Sequence, residues 1–257
     1  MMRYIKYIGL ELEGGMCEKG LIHLSNIMRG SGDRYYEGYD GSVHVPRPPH
    51  CEQHCELSNE CDRFFRYSWY NDVELKFMSD SLDEIREFVE TVWSLGFKQN
   101  ETCGNHMHFS FNNNNLYMIS LLSSWDFVKY YINKYINTYK SKEKYMRRLE
   151  NNYCRAIKSH DDLIKNITED RYYMINFRAV YKHSTIEIRI MPYADNAEEY
   201  IEMLLFNVNT IESYLDRTLK KKKITIHVGN IANEINLREL KKRAKTIKSK
   251  VVDEEVI

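Results

Sequence analysis

Three short runs of this chain repeat one arrangement. Glu11 and Glu13 in GLELEGG, His106 and His108 in CGNHMHFSF, and Glu187 and Arg189 in STIEIRIMP each stand two residues apart among apolar neighbours. Side chains of a strand alternate between faces, so both members of a pair point to one side of a sheet while the residues between them face a core. In GLELE the core side is Leu10 and Leu12, and in TIEIRI it is Ile186, Ile188 and Ile190. Two carboxylates on one strand face repel and are costly to desolvate unless cations lie between them. A metal-binding cleft is the first expectation.

With 257 residues the chain has room for one large domain or two small ones, and for a core that needs no disulfides. Lys plus Arg and Asp plus Glu number 37 each, so overall charge gives no argument for a nucleic acid or an acidic partner. The charge is unevenly spread: Arg217 to Lys250 holds 12 basic and 2 acidic residues, a basic C-terminal extension. The opening MMRYIKYIGLELEGG lacks the long apolar segment of a secretory signal, and no run of about 18 apolar residues offers a membrane span. The expectation is a cytoplasmic protein with no membrane partner. Scattered Cys17, Cys103 and Cys154 fit reduced thiols, and only Cys51, Cys55 and Cys61 cluster.

Local patterns predict a strand over 3–13, a helix over 17–28, a second strand over 38–45 halted by Pro46, Pro48 and Pro49, and strand character again over 63–78. Ser81 followed by Glu84 forms a capping box before an amphipathic helix that stops near Gly96. A strand over 106–111 precedes a long helical region, about 116–167, with breaks near Ser141 and Ser159. Residues 172–180 and 185–191 read as an antiparallel pair turning at 182–184, and 198–219 as a helix. This order predicts an α+β fold with a largely antiparallel sheet, one domain over 1–216 with an insert at 46–62, and an extension over 217–257.

Taken singly, each polar pair has a plain explanation. GLELE suits an exposed amphipathic strand, and a Glu/Arg pair suits a weak ion pair on a solvated sheet. Jointly they require that explanation three times, in segments apolar enough for central strands. Glu74 in NDVELKF adds another acid at a strand position, with Val73 and Leu75 on the other face. Carboxylates and imidazoles without nearby thiols suit Mg²⁺ or Mn²⁺ bridging the phosphates of a nucleotide. No GxxxxGK[ST] loop occurs, so a P-loop site is absent.

GLELE, the DGS at Asp40 to Ser42, VEL around Glu74, CGNHMH, RYYMINFRAV and TIEIR together resemble the amidoligase family, carboxylate-amine ligases similar to glutamine synthetase and glutamate-cysteine ligase. The likeness covers roughly the first 215 residues in order, and CGNHMHFSF and TIEIR are its most specific parts. The resemblance implies a curved antiparallel sheet of glutamine synthetase-like form, helices on its outer face, and ATP held between metal ions on the concave face. It implies metal ligation by Glu11, Glu13, Glu74, His106 and Glu187, contact of His108 with nucleotide or substrate, and Arg189 on the transferring phosphoryl group. Asn176 and Arg178 would line the same cleft. The implied reaction activates an amino-acid or peptide carboxylate as an acyl phosphate, which an amine then displaces. The long insert between Ser42 and Glu74 departs from the family pattern at the point where Glu74 is aligned.

The insert carries its own expectation: His54, Cys51, Cys55 and Cys61 offer soft ligands for a structural Zn²⁺, the alternative being a substrate-covering loop with reduced cysteines. The basic extension lacks interleaved aromatics, which argues against base stacking with nucleic acid. Two other functional classes remain open at this stage. One is a non-catalytic, metal-stabilised protein that binds a protein or nucleic acid through the insert and extension. The other is a metal-dependent hydrolase that needs no ATP.

Overall fold

A computed structural model describes residues 2–30, 32–39, 70–112 and 115–225 of the chain. Asp40 to Ser42, the insert at 46–62 with Cys51, His54, Cys55 and Cys61, and the extension beyond Thr225 lie outside the described residues. The chain divides into two compact units, Met1–Leu215 and Asp216–Ile257, and all the described strands lie in the first.

Among the described residues six strands build one antiparallel sheet: β1 (Ile5–Cys17), β2 (Tyr35–Tyr39), β3 (Tyr70–Ser79), β4 (Asn105–Phe111), β5 (Ile175–Asn176) and β6 (Ile186–Met191), in the spatial order β2-β3-β1-β4-β6-β5. The helices are α1 (Glu18–Met28), α2 (Leu82–Ser94), α3 (Asn115–Leu122), α4 (Trp125–Tyr139), α5 (Glu143–Arg148), α6 (His160–Thr168), α7 (Ala179–His183) and α8 (Ala197–Thr225). The architecture is α+β. No helix among the described residues is long and apolar enough to cross a membrane.

The two faces of the sheet differ in chemistry because the strands alternate. Ile8, Leu10 and Leu12 of β1, Leu75 and Phe77 of β3, Met107 and Phe109 of β4, and Ile186, Ile188 and Ile190 of β6 are buried. Phe77 stacks on Phe88 of α2 with ring centroids 4.4 Å apart, and Asn207 of α8 reaches the sulfur of Met107 at 3.3 Å. These contacts place helices on the apolar face. The neighbours of Phe77 and Met107, namely Lys76, His106 and His108, therefore point to the other face.

The first strand runs four residues past its expected end, through Gly14 and Gly15. Gly15 pairs with Lys98, N–H to O distances being 2.8 and 2.9 Å, so the glycines serve a close backbone approach instead of a turn. A Cβ on Gly14 would fall 2.6 Å from the Lys98 carbonyl and press on the Phe97 ring. The strand expected over 38–45 begins earlier, at Tyr35, and its expected remainder lies outside the described residues, as does 63–69 before β3.

Local signals place the helix ends well but miss one break. The Ser81 hydroxyl accepts from the Glu84 N–H at 3.3 Å, and Gly96, with φ of 85°, follows the end of α2. Only half of the expected capping box forms, since the Glu84 carboxylate turns to Ser79 Oγ at 2.6 Å and to Arg34 at 2.8 Å. The long helical region also breaks before Trp125, where Ser124 Oγ accepts from the Phe127 N–H at 3.2 Å. Between α5 and α6 the chain leaves helix altogether and bridges Arg155 to Tyr173. The strand expected over 172–180 shrinks to Ile175–Asn176, because α7 fills the connection and ends at Ser184 with φ of 55°.

Replacing Gly14 by alanine should lower unfolding free energy by about 1–3 kcal/mol, the usual range for overpacking a tight site. Urea denaturation monitored by circular dichroism checks this, and an unchanged midpoint would mean that the strand end relaxes freely around a methyl group.

Candidate metal centre

Strand register brings the three pairs together. Glu11 of β1 lies opposite His106 of β4 on one side and Lys76 of β3 on the other, and Glu13 lies opposite Glu74. His108 lies opposite Gly9 and Glu187, and Glu187 opposite Asn176. The polar face thus carries Glu74, Lys76, Glu11, Glu13, His106, His108, Glu187, Arg189 and Asn176 side by side.

His106 is the hub. Its Nδ1 is 3.3 Å from Glu11 Oε2 and 3.5 Å from Glu187 Oε1, while its Nε2 is 3.7 Å from Glu13 Oε1. Carboxylate oxygens thus face both ring nitrogens, and a cation among them would offset their mutual repulsion. Glu11, His106 and Glu187 can present one ligand atom each, all within 4.8 Å of one another. Donors about 2.1 Å from an ion at right angles to each other are roughly 3 Å apart, so the 3.3 and 3.5 Å gaps to His106 are close to that spacing, while the 4.8 Å span of the set must contract for one ion to be held. With one nitrogen among three hard donors, the set suits Mn²⁺ better than Mg²⁺.

The remaining acids are held more by protein groups. Glu13 Oε2 accepts from the Gly104 N–H at 2.6 Å, and a side chain on Gly104 would crowd both that oxygen and His106 Nε2. Glu74 Oε2 pairs with Lys76 Nζ at 2.9 Å, and the same ammonium reaches Glu11 Oε1 at 3.1 Å. Glu74 therefore lies on the expected face but meets the cluster through Lys76. The pair Glu74 and Lys76 has the same spacing as the other three, and that spacing is the signal by which Lys76 could have been found.

On the far side, Glu187 is clamped. Arg189 Nη1 donates to its Oε1 at 2.6 Å and Asn176 Nδ2 to its Oε2 at 2.6 Å. Arg189 is buried beneath Tyr172, whose ring centroid is 5.9 Å from the guanidinium carbon, and its Nε reaches the Tyr153 carbonyl at 3.5 Å. Arg178 is not brought into the cluster: its exposed guanidinium donates to the Glu169 carbonyl, and only its backbone N–H meets Asn176. Arg171, absent from the sequence expectations, bonds to Tyr172, which raises its pKa first of all, and it also feels the charges of Glu187 and Glu11.

His108 Nδ1 lies 3.0 Å from Thr185 Oγ1, and its buried Nε2 lies 3.5 Å from Glu11 Oε1 without a hydrogen bond. His183 packs edge-on to it at 5.4 Å. Burial, then the charges of His108 and Lys182, push the His183 pKa down.

Burial alone would raise the pKa of Glu11, yet the contact with His106 and the charges of His108 and His106 outweigh it and hold the carboxyl well below its usual range. Glu187 behaves alike: desolvation is opposed by His106, Arg189, His108 and Asn176, and its pKa falls. Lys76 is desolvated too, but Glu74 and Glu11 raise its pKa.

Both acids thus have folded pKa values below about 4.5, the unperturbed value. Their stabilising effect is fully present above that pH and is lost as pH falls through the lower folded values. Glu187→Gln should flatten the fall in unfolding free energy below pH 4.5, read by denaturant titration across pH, and an unchanged acid limb would contradict the assignment. Mn²⁺ titration followed by electron paramagnetic resonance should show one tight site, weakened at least about tenfold in Glu11→Gln and in Glu187→Gln. Full affinity in both variants would place the ion elsewhere.

No family model, no curated protein and no solved structure matches the chain. The functional reading therefore rests on the chemistry of this face and on the sequence resemblance.

Proposed function

We propose that the polar sheet face binds ATP with a divalent ion and joins a carboxylate to an amine, as the amidoligase resemblance implies, on a sheet of the glutamine synthetase type. The observation that carries this reading is the meeting of all three strand pairs on one face, with acids, imidazoles and a buried arginine within bonding distance of one another. A solvated sheet would have no reason to bury Glu187 and Arg189 together, since desolvating such a pair tends to cost more than it returns unless function retains it.

Glu11, His106 and Glu187 fit the ion, which would supply charge neutralisation for the triphosphate. A carboxylate does not react with an amine directly, so a carboxylate oxygen would first attack the γ-phosphorus as its bond to ADP breaks and ADP leaves; the amine would then attack the carbonyl carbon of the acyl phosphate, phosphate leaving and the nitrogen losing a proton to solvent. The chain's own groups act by position and charge. Arg189, oriented by Glu187, has its Nη2 free of any acceptor among the described residues and would bind a phosphoryl oxygen. Asn176 fixes Glu187 from the other side, so Arg189 is aimed from a rigid base. Lys76 and His108 flank Glu11 and are placed to bind negative oxygens on either reactant.

The test is release of ADP and phosphate that depends on both a carboxylate and an amine. Arg189→Ala should lower kcat roughly 10³-fold with the fold retained by circular dichroism, and Glu11→Gln should remove Mn²⁺-supported nucleotide binding. Absence of nucleotide binding in the presence of Mg²⁺ or Mn²⁺ would sink the proposal, and amide cleavage without ATP would indicate a hydrolase.

A further inference from the structure

A cavity of about 350 Å³ opens beside the metal centre and shares Glu11 and His108 with it. That volume lies near the lower end for small-molecule sites. Its floor follows from the β1–β4 register. Gly9 lies opposite His108, where a Cβ would come within 3.3 Å of the His108 Cβ, and Tyr7 lies opposite Ser110. The absence of a side chain at Gly9 is what leaves room on the polar face between Glu11 and Tyr7.

Two buried polar atoms on successive same-face positions of β4, His108 Nε2 and Ser110 Oγ, have no hydrogen-bond partner among the described residues, and both residues line this cavity. Buried polar groups are nearly always bonded, so an orphan pair facing one cavity marks where a ligand's polar atoms belong. Glu11 is the one acid among the described residues of the lining, and it is already bonded to Lys76. Lys76 and Arg34 set two cations against Glu11 around the rim, Arg34 being shared with Glu84. Tyr36, exposed over 58% of its surface, and Met78 supply an apolar wall.

We infer that this cavity takes the acyl substrate as a small carboxylic acid with an apolar, ring-sized body, its carboxyl oxygens meeting Ser110 and His108 and its body lying against Tyr36. A polar chain such as that of glutamate finds few partners on such a wall. The inference rests on the ligase reading for the role of the acid, but binding to the cavity does not require nucleotide.

Isothermal titration of the full chain with 3-phenylpropionate, without nucleotide or metal, tests it, with L-glutamate and inorganic phosphate as separate arms. The expected result is saturable binding of 3-phenylpropionate at least tenfold tighter than of either other ligand. Ser110→Ala should weaken it about tenfold while leaving thermal stability unchanged or higher, since the change removes an unsatisfied hydroxyl. Tyr36→Ala, at an exposed position, should weaken it as well. Equal binding of phosphate, tighter binding of glutamate, or full affinity in Ser110→Ala would overturn the inference. Mg-ATP binding measured in parallel separates the outcomes: a chain that binds nucleotide but not the acid loses this inference and keeps the ligase reading.

Discussion

The register between β1 and β4 is the constraint on which the rest of the structure depends. Glu11 opposite His106 and Gly9 opposite His108 set the candidate metal centre and the adjoining cavity in one step. A slip by one residue would turn Glu11 and Glu13 under the helices and bring Leu10 and Leu12 to the polar face, so the core enforces the register. Backbone ties at both ends reinforce it. Glu212 Oε1 accepts from the N–H groups of Arg3, Tyr4 and Ile5 at 2.8–3.1 Å, and Gln99 Nε2 donates to the Glu13 carbonyl and to Asn105 Oδ1.

With the register fixed, electrostatics decides what the face can hold. Lys76 and Arg189 stand at opposite sides of the cluster, each paired to a carboxylate, and His106 bridges the gap between Glu11 and Glu187. The protein thus keeps its acids ionised and near one another at neutral pH. A divalent ion there would take Glu11, His106 and Glu187 as ligands, with Arg189 and Asn176 orienting Glu187. Rigidity on the helix-covered face makes such an arrangement repeatable: Tyr131, hydrogen-bonded to Asn207 at 2.5 Å, and Tyr200 are fully buried in the layer beneath β4.

Much of this was legible in the chain because strand alternation is a local rule. The i, i+2 spacing of Glu11 with Glu13, His106 with His108 and Glu187 with Arg189 was enough to assign one face to each pair. Which strands neighbour one another depends on long-range pairing, and that is why the bond from Lys76 to Glu11 and the union of His106 with both carboxylates were not visible. Arg178 was placed in the cleft by resemblance, yet α7 starts right after it and its guanidinium turns to Glu169. The short helix also explains why 172–180 read as strand: Tyr173, Met174 and Phe177 are buried by tertiary packing, while the strand itself is only Ile175–Asn176. The unpartnered atoms of His108 and Ser110 have no sequence signature at all.

The most direct test of the central claim is a crystal structure grown with Mn²⁺ and a non-hydrolysable ATP analogue, with anomalous scattering recorded for manganese. The account predicts an anomalous peak within ligand distance, about 2.0–2.3 Å, of Glu11 Oε2, His106 Nδ1 and Glu187 Oε1, and phosphate oxygens against Arg189. Manganese bound elsewhere, with Glu187 and Glu11 still bonded only to Arg189, His106 and Lys76, would contradict it.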